Sequence, residues 1–228
     1  MLSHPLFPLQ TAVGAALVAV SLAAAAQVAA PALKTGDSWT YRVINNYNKQ
    51  IAGTWTREVT RAGPGSIRMT TQAGARSTEA AFSTPGEMTG GVLTDRAGGT
   101  IEPALQLMPF PLAERQSWSQ RVVRIDAATK EKRDMLIRGR VGGWETVTVP
   151  AGTFKAIKVE RTMYLGDYDS FRGITWRTET DWYVPEVKGP VKTEVFEEYC
   201  EHRYVCGGVG TLLPGERSTY ELTAYRSR

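Results

Sequence analysis

The chain has 228 residues, 42% of them apolar and 22% charged, with Lys+Arg 27 against Asp+Glu 23 and a formal net charge of +4. That mixture is globular. It excludes a disordered tail and a polytopic helical membrane protein, and its scattered, mild basicity lacks the clustered footprint that nucleic-acid binding needs. The first charged residue is Lys34, so the N-terminus reads apart from the rest.

From Thr11 to Ala30 the chain is uncharged and rich in Ala, with Thr11, Ser21 and Gln27 as its only polar members. This is the h-region of a secretory signal, and Ala24-Ala25-Ala26 supplies the small residues of a cleavage site that makes Gln27 the first mature residue. No Lys or Arg precedes it, and His4 is a weak substitute for a basic n-region. A retained anchor is the rival reading, because about 20 apolar residues span a bilayer core; Ala is much less apolar than Leu, which favours cleavage. No Cys stands near the cleavage site to carry a lipid. The expected organisation is a signal peptide over 1–26 and one antiparallel β domain over 27–228. Its product is soluble and periplasmic, with no stable membrane span after cleavage.

The mature chain alternates with period two almost throughout, the pattern of half-buried strands. Trp39, Tyr41 and Val43 form the first apolar set; Gly53, Trp55, Arg57 and Val59 share a face of the second strand, and Ile67, Met69 and Thr71 that of the third. Ala62-Gly63-Pro64-Gly65 is the turn between those two. From Phe82 to Arg115 the pattern loosens around Pro85-Gly86, Gly90-Gly91 and Gly98-Gly99. Leu105 to Leu112 then reads as a short helical turn or a loop laid over the sheet as a lid, with Pro103, Pro109 and Pro111 limiting any helix. Alternation resumes at Trp118, and again from Trp144 to Val149, with a tight reversal at Pro150-Ala151-Gly152. Asp167 and Asp169 resemble the start of a calcium loop, but Phe171 and Arg172 stand where oxygen ligands and Gly are wanted.

The clearest amphipathic strand follows. Ile174, Trp176, Thr178, Thr180, Trp182 and Val184 share one face and Thr175, Arg177, Glu179 and Asp181 the other. The first face is expected to point inward and the charged one to lie on the outer surface. At about 3.3 Å per residue, 11 residues span about 36 Å, a length that suits a curved barrel-like sheet. Val191, Thr193 and Val195 begin the next strand, and Tyr220, Leu222 and Ala224 line the last. Between them Cys200 and Cys206 bracket a short loop. In an exported chain an even cysteine count predicts a disulfide. The alternative, zinc on Cys200, His202 and Cys206, lacks a second ligand pair. With His4 removed, His202 is the sole imidazole, which argues against a histidine-based hydrolase.

The order of Gly36-Asp37-Ser38-Trp39-Thr40-Tyr41, Pro111-Leu112 before Trp118, Val147-Thr148-Val149-Pro150-Ala151-Gly152-Thr153-Phe154, and Trp182-Tyr183-Val184-Pro185 resembles a widespread family of uncharacterised bacterial exported β proteins. That family is similar in turn to the LolA and LolB half-barrels that carry lipoprotein acyl chains. The resemblance implies an all-β fold with little helix: a single curved antiparallel sheet, a half-barrel or incomplete barrel.

Two readings of the tryptophans follow, a filled core or a hollow that accepts an apolar or amphiphilic, lipid-like ligand. The hollow assigns ligand binding to Trp55, Trp118, Trp176 and Trp182. Glu179 and Asp181 have a spacing that would fit glycosidase carboxylates, yet alternate charges on an outer face need no such role. The expected protein is therefore non-catalytic, without metal or cofactor. An envelope protein–protein interaction module, docking through an exposed sheet edge or the Cys loop, is the alternative.

Overall fold

Short inner side chains on some strands and bulky ones on others decide the shape of this molecule. The computed structural model describes residues 27–93, 99–167, 172–201 and 212–228. Residues 1–26, where the signal peptide is expected, Asp169, His202 and Cys206 lie outside the described residues. The described residues contain no helix. They form twelve strands: β1 (Ser38–Asn45), β2 (Gln50–Gly63), β3 (Ser66–Ala73), β4 (Arg76–Thr84), β5 (Glu87–Gly91), β6 (Gly99–Gln106), β7 (Ser117–Asp126), β8 (Lys132–Val149), β9 (Gly152–Asp167), β10 (Arg172–Val184), β11 (Gly189–Glu201) and β12 (Leu213–Arg226). Each pairs antiparallel with its sequence neighbours, and β12 returns to β1, from Ser38 opposite Arg226 to Asn45 opposite Ser218.

The sheet is therefore a closed barrel and not the half-barrel that the resemblance implied. The physical reason lies in the two terminal strands. Open, β1 and β12 would each present a row of unpaired N–H and C=O groups; paired, they satisfy one another and abolish both edges. Closure also removes the sheet edge through which an interaction module would have docked.

The loosened stretch after Phe82 holds strands β5 and β6, where neither regular alternation nor the prolines announced them. Pro103 sits inside β6 because the β6–β7 ladder ends at Glu102 opposite Val123. Beyond that point the Gln120 side chain replaces the missing ladder: its oxygen accepts from the Gln106 N–H (2.9 Å) and its amide donates to the Ala104 C=O (2.9 Å). Leu107 to Gln116 is a loop, not a helical turn, and Leu112 and Val28 exchange two backbone hydrogen bonds of 2.8 Å each, which pin it to the N-terminal segment.

The reversal at Pro150-Ala151 joins β8 to β9 as expected, and Gly152 adopts φ +138° there. A bulge between Val141 and Trp144, at Gly142-Gly143, bends this long hairpin. Its tip reaches the far side of the barrel end, where the Ala151 N–H donates to Leu222 C=O (3.0 Å) and Phe154 meets Tyr225 edge-on.

Candidate ligand-binding cavity

The barrel interior is packed on one side and hollow on the other. On β7 to β9 the inward residues are large: Val122, Met135, Ile137 and Met163 form one buried cluster with Met88, Ile101, Leu105 and Leu165. Trp118 belongs to this packed side. It lies over its register partner Gly139, where a side chain would collide with the indole at 2.3 Å, and its Nε1 donates to the Gln106 C=O (2.9 Å). A glycine beneath a cross-strand aromatic ring gives the ring its seat. Across the barrel, β3 and β4 turn Thr71, Ala73, Thr78 and Ala80 inward. Side chains that short cannot reach the opposite wall, and a cavity of about 680 Å³ remains.

One wall of this cavity is apolar, with Trp55, Met69, Phe82 and Met88 on the strands and Leu107 and Phe110 from the loop. The opposite wall is charged: Arg161, Arg177, Glu179, Asp181, Glu197 and Glu216 face the same space. Arg161 donates from Nη1 to Asp181 (2.6 Å) and from Nη2 to Glu179. Arg177 donates from Nε to Glu179 (2.6 Å) and from Nη1 to Glu216 (2.6 Å) and Glu197 (3.2 Å), and Arg172 holds the other Glu197 oxygen (2.6 Å). Thr193 adds a bond to Asp181 (2.5 Å) and Tyr220 one to Glu216 (2.6 Å). Arg177 and Asp181 are only 4% and 2% exposed.

In Arg161, Arg177 and Glu179 burial disfavours the charged form, yet pairing outweighs it. Burial alone would raise the Glu179 carboxyl, but the Arg161 and Arg177 charges and their hydrogen bonds bring it down to about 2. For Arg161 the penalty of burial is overcome by Asp181 and Glu179, which keep the guanidinium charged. Burial pushes the Tyr41 hydroxyl up, with Arg57 opposing and Asp181 adding to the shift, so it stays protonated and donates to the Pro190 C=O (2.9 Å).

The expected orientation of β10 is thus inverted. Thr175, Arg177, Glu179 and Asp181 point inward, and Ile174 and Trp176 point away from the cavity. Amphipathic alternation defines two faces without saying which one is inside. Here the charged face is accepted inside because β9, β11 and β12 supply Arg161, Glu197 and Glu216 as partners. Trp176 instead meets Tyr164 edge-on at 6.4 Å. Trp182 also leaves the cavity: its Nε1 donates to Glu145 (2.7 Å), and the ammoniums of Lys158 and Lys192 stand 5.7 and 4.6 Å from its ring. Of the four tryptophans singled out in the sequence, Trp55 alone lines the cavity, 4.7 Å from the Tyr220 ring. Cys200 is buried at the end of β11, and Cys206 lies outside the described residues.

The charged wall is what sequence reading missed. Its signal was present as complementary charges at register-compatible positions: Arg161 opposite Glu179 on β9 and β10, and Arg177 opposite Glu197 on β10 and β11.

No family model matches the chain, and no curated protein matches it in sequence. Two solved structures resemble it. One, from Parabacteroides distasonis ATCC 8503 and provisionally described as a lipoprotein, has a TM-score of 0.46 and 16% identity over 85% of this chain and 96% of its own. The other, from Bacteroides fragilis NCTC 9343, is provisionally described as an exported protein with a YmcC-like fold; it has a TM-score of 0.41 and 14% identity over 90% of this chain and 100% of its own. At such scores the function must be argued from the chain's own residues.

Proposed function

We propose that this chain is an exported, non-catalytic protein of the periplasm that holds an apolar or amphiphilic, lipid-like molecule inside its barrel. The observation that carries this reading is the cavity of about 680 Å³, apolar on one wall and lined by a paired ion network on the other. Its size falls in the range of roughly 300 to 1,000 Å³ usual for small-molecule sites. At about 30 Å³ per water-sized group, about twenty such groups fit, the size of one long acyl chain.

Catalysis by the carboxylates is disfavoured because Glu179 is held ionised at about 2 and has no proton to give as a general acid near neutral pH. The outer wall, with Arg42 and Glu221, Arg68 and Glu79, and Arg140 and Glu160 paired on it, is no lipid-facing band. A barrel with such a wall suits an aqueous compartment. We further propose that Cys200 and Cys206 form a disulfide there, to be tested by alkylation: both thiols should be inert to it until reduced.

Native mass spectrometry of protein purified from the envelope, with lipid extraction, tests the carrier reading. A co-purifying amphiphile supports it. A protein with no bound mass that also fails to take up a fluorescent fatty-acid probe overturns it.

A further inference from the structure

Most cations that line the cavity are already engaged. Arg161, Arg177 and Arg172 are held by carboxylates of the network, Lys188 donates to Asp37 (3.0 Å) and the Arg228 C=O (3.0 Å), and Arg76 has a contact of its own. Arg57 differs. It is half-buried on β2, lines the cavity, and has no ion pair or hydrogen bond from its guanidinium among the described residues. Its register partners are Trp39 on β1 and Thr71 on β3, both also on the cavity wall.

A second unpartnered group occupies the same end of the barrel. The Tyr183 hydroxyl belongs to a cavity-lining residue that is only 2% exposed, and it has no hydrogen-bond partner among the described residues. The two are brought to one end by the turn between β10 and β11. Trp39, opposite Arg57, donates its indole N–H to Val187 C=O (2.7 Å), and Tyr183 is the register partner of Pro190. Phe110 of the loop packs edge-on against Tyr183 at 5.3 Å, so apolar surface adjoins the polar end.

An arginine without a counter-ion thus shares one end of the barrel with a buried hydroxyl without an acceptor, near which Glu186 contributes the only negative charge, among the described residues, that acts on it. Both groups are donors, and a guanidinium makes its strongest bonds to carboxylate or phosphate oxygens. Asp181, two residues from Tyr183, is already held by Arg161 and Thr193, and Glu197 and Glu216, farther along the wall, are held by Arg177 and Arg172. We propose that Arg57 and the Tyr183 hydroxyl form the headgroup subsite for a single-chain amphiphile with an anionic headgroup, its tail lying along Met69, Phe82 and Met88. This rests on the carrier reading and deepens it.

Calorimetric titration of delipidated protein with hexadecanoate, hexadecyl phosphate and the neutral hexadecanamide tests the assignment, each measured on the native protein, on Arg57→Gln and on Arg57→Lys. The native protein is expected to prefer the better anion over the amide by roughly tenfold or more, the scale of a charge-assisted hydrogen bond. Tighter hexadecanoate binding assigns a carboxylate and tighter hexadecyl phosphate binding a phosphate; both support the subsite. Arg57→Gln should remove the preference by weakening only the anions, and Arg57→Lys should restore part of it. Equal binding of amide and anions by the native protein, or a preference that survives Arg57→Gln, overturns the subsite and leaves the carrier reading standing. Binding of none of the three overturns both. Since Arg57 makes no ion pair, the glutamine variant should fold, which its unchanged thermal midpoint would verify.

Discussion

Replacing Arg161 by Leu is the sharpest test of the charged wall. Arg161 is 7% exposed and bridges Asp181 and Glu179. Removing it strands two carboxylates that keep only Thr193 and Arg177 as partners. Deleting one member of a buried ion group costs about 3 to 5 kcal/mol at neutral pH. With an m-value of about 2 kcal/mol/M, that is a fall in the urea midpoint of about 1.5 to 2.5 M, readable from tryptophan fluorescence. Acid supplies a second signature. Glu179 has a folded-state pKa of about 2, below its ordinary 4.5, so its contribution is complete above pH 4.5 and lost as pH falls toward 2. At 1.36 kcal/mol per unit this amounts to about 3 kcal/mol. The variant keeps only Arg177 to depress Glu179, so it should lose about half as much over that window, and its deficit should narrow by less than about 1 kcal/mol at pH 3 and by about 1 kcal/mol near pH 2. Replacing Arg161, Glu179 and Asp181 all by Leu should recover most of the loss, because the cost lies in the uncompensated charge. A deficit below about 1 kcal/mol at pH 7, or one that ignores pH, would refute the claim that these pairs are desolvated.

Tyr183→Phe should raise stability of the empty protein by about 1 kcal/mol, since it removes a buried hydroxyl that lacks a partner, and a fall in the chemical-denaturation midpoint would contradict that. Gly139→Ala should cost about 2 kcal/mol or more and shift the fluorescence of Trp118 to the red, because the new methyl displaces the indole from its seat and from Gln106. Ala73→Leu with Ala80→Met should fill about a quarter of the cavity at about 30 Å³ per added heavy atom. That double variant should raise the thermal midpoint through added apolar burial, and weaken fatty-acid probe binding by tenfold or more. Unaltered probe affinity would move the binding site elsewhere.

Much of the wall could be read from period-two alternation: Trp39, Tyr41 and Val43 inward on β1, Tyr220 and Leu222 inward on β12, and the tight turn after Val149. The sequence could not announce closure, because whether β1 meets β12 depends on curvature summed over all the strands between them. Strands β5 and β6 were hidden because Gly90, Gly91 and Gly99 answer to close backbone approach rather than to burial: a Cβ on Gly91 would stand 2.4 Å from the Glu79 C=O.

The inverted face of β10 carries the larger lesson. A rule that places apolar residues inside assumes a dry interior, and in a filled small barrel it holds, as Ile137 and Met163 show on the packed side. A twelve-stranded barrel encloses more space than such side chains fill. Where β3 and β4 contribute Thr71, Ala73, Thr78 and Ala80, the opposite wall faces open space. Charges that complement one another across β9 to β12 then cost less inside than they would in a packed core, and the tryptophans of β10 find their partners on the outer side in Tyr164 and the lysines around Trp182. The hollow and the inverted strand therefore have one cause, the short residues on the facing wall. Filling that wall should make the buried arginines more costly at the same time as it expels the guest.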